Sequence, residues 1–184
     1  MVKRRFIFII LLSSILVIIG SSPLIALDIQ YTNKIDVKEM SFQWKIDGDR
    51  IHIKLVAKTT GWVGVGFNPS KFMKDANFIL GYVKDGKPAL TDHFGTGERK
   101  HEGDKKLGGK SNISNIFGKE ENGETEIGFT FPLNSKDPND REIKVDQDTM
   151  ILLAYGAGRD SFRSLHKFRT KLTVNLTSGK YKKD

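Results

Sequence analysis

The sixteen residues FQWKIDGDRIHIKLVA, 42–57, decide the fold. Phe42, Trp44 and Ile46 alternate with polar residues, and so do Ile51, Ile53 and Leu55 on the other side of Asp47-Gly48-Asp49. Period-two runs that flank an Asp-Gly turn predict an antiparallel β-hairpin with one buried face. His52 lies between Ile51 and Ile53, on the polar parity, and is expected at the surface. Outward from this hairpin the same alternation marks strands over 62–67, 77–83, 126–131, 149–155 and 171–176, separated by turn residues such as Lys84-Asp85-Gly86 and Glu121-Asn122-Gly123. No stretch of ten residues carries a helical stripe, and 69–75 has room for only one helical turn. Many short strands without helices predict an all-β chain, an immunoglobulin-like antiparallel β-sandwich. Residues 95–118, rich in Gly, Lys and Asn, read as a long solvated loop or irregular edge, and the Lys-rich tail 180–184 as frayed.

The chain has 184 residues and begins with Lys3-Arg4-Arg5, an apolar run over 6–20 and a small residue at Ala26. This is the layout of a secretory signal peptide, 1–26, which leaves one domain over 27–184. An uncleaved leader would act as a membrane tether. The predicted locations are the periplasm, the extracellular space or the outer membrane face. Three of the 30 cations fall in the leader, so the excess of eight over the 22 anions shrinks to five. That surplus is too small to argue for nucleic acid and is compatible with an acidic protein partner. The chain has no cysteine, which excludes thiolate catalysis, Cys-ligated zinc, iron–sulfur clusters and covalently attached c-type haem. Neither a G-x-S-x-G nor an H-E-x-x-H motif is present, so hydrolase chemistry has no signature.

Four histidines, His52, His93, His101 and His166, and the methionines Met40, Met73 and Met150 remain as ligand candidates. Met150 opens an apolar run and is expected in the core, and Met40 opens a strand with no polar partner. Met73 stands in a loop where no strand parity asks for a hydrophobe. His166 stands in a basic and aromatic segment between two strands.

The order of these residues among their neighbours resembles the DOMON domain family. The first motif, GWVGVGFNPSKFMKDANFILGYV over 61–83, sets Trp62, Gly64, Gly66 and Phe67 ahead of Met73 and a small-residue, apolar strand. The second sets ILLAYGAG, 151–158, ahead of LHKFR, 165–169. The resemblance covers roughly 42–176 and implies a β-sandwich. In the cytochrome b type of this family it implies a haem b ligated by a Met and a His, here Met73 and His166. Trp62, Phe67 and Phe72 would then lie about the ring, with Arg163, Lys167 and Arg169 near its propionates. His93 and His101 are the rivals of His166, and Asp92-His93 resembles a carboxylate-oriented ligand. The implied role is single-electron transfer to a redox partner protein. Members without these ligands imply a carbohydrate or small-ligand binding module instead.

Overall fold

The structure is a computed structural model and describes residues 29–183. The predicted leader lies outside the described residues. Twelve strands form two antiparallel sheets, and the chain is a β-sandwich as the alternation predicts. The five-stranded sheet has the order β1-β2-β3-β9-β8, and the seven-stranded sheet β12-β11-β10-β4-β5-β6-β7. The hairpin of 42–57 is β2 (Met40–Asp47) with β3 (Arg50–Ala57), turning at Gly48 with φ 58°. It is flanked by β1 (Asn33–Val37) and, on the far side, by β9 (Glu124–Pro132) and β8 (Ser114–Glu121). The opposing sheet contains β4 (Val63–Phe67), β5 (Asn77–Lys84), β6 (Lys87–Gly97), β7 (Lys100–Gly103), β10 (Asp148–Gly156), β11 (His166–Asn175) and β12 (Tyr181–Lys183).

The core is the inner parity of both sheets. Phe42, Trp44, Ile51, Ile53, Phe129 and Phe131 meet Val63, Val65, Phe67, Ile151 and Leu153, all buried. Burying such side chains, at ~1.5–3 kcal/mol each, is the main force that holds the sheets together. Trp44 keeps its one polar atom satisfied by donating Nε1–H to the Leu176 carbonyl at 2.8 Å.

Several expectations are corrected. His52 is covered, not exposed: its Nδ1 hydrogen-bonds Thr130 Oγ1 at 2.8 Å on the outer side of the five-stranded sheet. Met150 is half-buried on the outer parity, and Ile151 and Leu153 take the core positions next to it. Residues 69–75 do not form a helical turn, because Phe72 and Asp75 adopt positive φ and Lys71 bridges Lys74. Within 95–118 lie β7, the 3-10 turn Asp104–Leu107 and most of β8. The tail folds back as β12, pairing Lys183 with Leu172.

The glycines of the first motif are explained by close packing on the outer face of the seven-stranded sheet. Gly66 sits between Leu152 and Phe78, and Gly64 between Ala154 and Leu80. A Cβ on Gly66 would strike the Phe78 ring, one on Gly64 the Leu80 side chain, and one on Gly156 the Trp62 indole. The bare backbone is thus a flat floor on which Trp62, Leu80 and Phe78 lie. The 157–165 connection between β10 and β11 folds over one end of this face. Trp62 fastens it there, donating Nε1–H to Ser164 Oγ at 2.9 Å.

Candidate ligand cleft

Beside that connection, the outer face of β5, β6 and β7 opens into a cleft of ≈ 940 Å³. Strand parity sends Tyr82 from β5 and His93 from β6 into it, and His101 reaches it from β7. Phe162, carried in by the 157–165 connection, packs on Tyr82 with ring centroids 4.8 Å apart and stands 6.4 Å from His93. The two imidazoles face each other with Nδ1 atoms 2.7 Å apart, so one ring donates its N–H to the lone pair of the other. Burial and the neighbouring His101 push His93 down to about 4, and burial lowers His101 as well. Both rings are therefore neutral at neutral pH. Arg99, Lys100 and Arg163 rim the opening, whereas Lys106 is already paired with Glu102 at 2.9 Å. The cleft combines an aromatic wall and two neutral imidazoles with a lining that carries both cations and the carboxylates of Asp92, Asp104 and Asp160.

The site residues read from the sequence are distributed differently. Met73 is half-buried in the β4–β5 connection, where its N–H donates to the Glu98 carbonyl at 3.2 Å and its own carbonyl lies against Gly95 of β6. His166 is exposed at the start of β11, paired with Gly156 beyond the opposite end of β4. At ~3.3 Å per residue and ~4.8 Å per strand, the register separates them by roughly 20 Å along the strands and roughly as much across them. A thioether and an imidazole that share one metal atom span on the order of 13 Å between Cα atoms, given metal–ligand bonds of about 2 Å. The structure does not bring Met73 and His166 together, and in this arrangement the pair does not fit a single haem iron.

Of the other candidates, Phe67 is wholly inside the sandwich at 0 % exposure, unavailable to any ligand on the surface. Phe72 is 65 % exposed beside Met73, and Lys71 Nζ stands 6.0 Å from its ring. Trp62 lies on the outer face and forms part of its floor. Arg163 lines the cleft, while Lys167 and Arg169 are exposed on β11. Asp92 does not orient His93: the two alternate along β6, and Asp92 points into the sandwich while His93 faces the cleft. Sequence reasoning missed Tyr82, which lies within β5, and Phe162, which is brought onto it only by the fold of the 157–165 connection. The parity of 87–94 carried the available signal, since it sets His93 on the face opposite Asp92.

Comparison with known proteins gives three findings. Residues 36–156 match the model of the DOMON domain. DBH-like monooxygenase protein 1 of Mus musculus is 30% identical over 112 residues, and its Homo sapiens counterpart 31% identical over the same length; each match covers 61% of this chain. The chain spans 18% of the length of these curated relatives. Among solved structures, the cytochrome b domain of pyranose dehydrogenase from Coprinopsis cinerea superposes with a TM-score of 0.59 at 11% identity, covering 77% of this chain and 78% of that one. This last is a likeness of fold.

Proposed function

Since the chain belongs to the DOMON family, we propose that it is an exported binding module that takes a planar, anionic small molecule in the cleft between the β6–β7 limb and the 157–165 connection. The observation that carries this reading is the wall made by Tyr82 and Phe162 beside the His93–His101 pair, with Arg99, Lys100 and Arg163 at the mouth. A flat ring stacks on the aromatic wall. Its acidic groups meet the rim cations, and two neutral imidazoles face its interior. No nucleophile is paired with a base in the cleft, which favours binding over catalysis.

Haem b is one molecule of this class, and it is the ligand that the family resemblance implies. When held by two protein ligands it supplies outer-sphere electron transfer. In that case Tyr82 and Phe162 would flank the ring, Arg99, Lys100 and Arg163 would hold its acidic groups, and the His93–His101 pair would supply a ligand to the iron. Electron exchange with a redox partner protein and a location outside the cytoplasm belong to the same proposal. The test is to titrate haemin into residues 27–184 and follow the Soret band, oxidised and reduced. The expected result is a shifted, saturable Soret band that is lost in His101→Ala and kept in Met73→Ala. Loss in Met73→Ala and His166→Ala instead would return the site to the motif residues. A protein that stays colourless removes haem and sends the cleft to a panel of aromatic carboxylates.

A further inference from the structure

Asp92 occupies a position where strand parity calls for a hydrophobe: its inner-face neighbours along β6 are Leu90 and Phe94. Two more carboxylates converge on it inside the sandwich, Asp104 from the start of the 3-10 turn and Asp140 from the connection between β9 and β10. One oxygen of each lies within 4.8 Å of the other two. Asp104 is fully buried at 0 % exposure, and both of its side-chain oxygens lack a hydrogen-bond partner. Asp92 is 3 % exposed; its Oδ2 accepts the Asn112 N–H at 3.1 Å and its Oδ1 has no partner. Asp140 repeats the pattern, with one oxygen accepting from Asn112 Nδ2 at 2.8 Å and Oδ1 unpartnered. On the neighbouring strand, Asn77 is also buried with both amide atoms unpartnered.

Buried polar atoms without partners are costly, and three carboxylates that share one dry space repel one another. Burial pushes Asp92 up to about 8 and Asp104 up to about 7, and it raises Asp140 too. Protons or a cation relieve this arrangement, and carboxylate oxygens brought close together from three chain segments, several of them without a hydrogen-bond partner, suit a cation.

We propose that Asp92, Asp104 and Asp140 bind a divalent cation of the calcium class, which clamps the 3-10 turn and the β9–β10 connection to the seven-stranded sheet. The donors are all hard oxygens, the set that selects calcium, magnesium or manganese over zinc or copper. Opposite ligands of a calcium ion stand about 4.6–5.2 Å apart, twice its bond length, whereas magnesium asks for about 4.2 Å and near-octahedral order. Carboxylates brought together from three separate chain segments form an all-protein oxygen set, which suits calcium's flexible coordination better than magnesium's octahedral order and retained waters. Asp92 and Asp104 also belong to the lining of the cleft, but the assignment rests on the carboxylates alone and stands whether or not the cleft binds a ring.

The test uses the full chain purified from an exporting host and stripped with EDTA. Calcium chloride is added during calorimetric titration and thermal melting. The expected result is saturable uptake of one ion per chain and a melting temperature raised by roughly 5–10 °C at a hundredfold excess over Kd. Asp104→Asn, which mimics the protonated acid, stays folded in EDTA and loses both effects. If that variant does not fold, Asp140→Asn is read in the same way. Absence of saturable uptake by the natural chain, or an undiminished response in a folded variant, overturns the site. An equal shift from magnesium alone overturns the choice of calcium.

Discussion

His93 and His101 turn their Nδ1 atoms toward each other at 2.7 Å across the β6–β7 pairing, with ring centroids 4.9 Å apart. A single proton serves that contact, and a second one would make one ring cationic and set two N–H groups against each other. For His93, a folded-state value of about 4 lies below its ordinary 6.5. The stability this ring contributes is therefore complete above pH ~6.5 and is lost as the pH falls through about 4. The expected outcome is that the His93 ring resonances stay fixed between pH 7.5 and 5, while unfolding free energy declines from about pH 6.5 down to about 4, where the folded ring also takes up its proton. A ring that titrates near 6.5 would contradict the paired, neutral arrangement.

Gly66 offers a sharp packing test, because the Phe78 ring occupies the space where its Cβ would be. Gly66→Ala should lower unfolding free energy by about 1–3 kcal/mol, the usual cost of forcing extra volume into a close-packed site. Denaturant melts would measure it. An alanine variant as stable as the natural chain would mean that Phe78 has another rotamer available at no cost.

Trp62→Phe keeps the apolar surface over Gly156 and removes the N–H that holds Ser164. The loss should be near 1 kcal/mol in stability. Its larger effect is local, since the 157–165 connection bears Arg159 and Arg163. Limited trypsin digestion should cut there faster in the variant while the rest of the domain resists. Equal cleavage rates would show that the indole hydrogen bond does not hold the connection down.

Thr130→Val is nearly isosteric and removes the hydroxyl that serves His52 Nδ1 and also accepts from Asn115 Nδ2 at 3.2 Å. Leaving a buried imidazole nitrogen unpaired should cost about 1–3 kcal/mol. A melt that matches the natural protein would place a water on that nitrogen.

The sandwich was legible wherever one face of a strand is apolar and the other polar. The hairpin of 42–57 shows this, with each buried hydrophobic residue on the expected parity from Phe42 to Ala57. Strands β7 and β8 escaped notice because their residues are mostly polar. They pair with β6 and β9, each across a two-residue connection, so register and not an apolar face of their own defines them. His52 looked exposed by parity because alternation reports which side of a sheet a residue takes, not what covers that side. The motif residues were legible as a family pattern, yet their spacing says nothing of the corner-to-corner placement of Met73 and His166, which follows from sheet order. Asp92 was named only as the neighbour of His93; its place between Leu90 and Phe94 was the unused clue.

The seven-stranded sheet ends in β12, a three-residue strand whose Lys182 and Lys183 are exposed. A neighbouring copy that tried to add its own strand there would find little backbone to pair with and would bring like charges together. The same lysines that made the tail look frayed thus act as a stop on lateral growth, so two copies should not join their sheets at this edge.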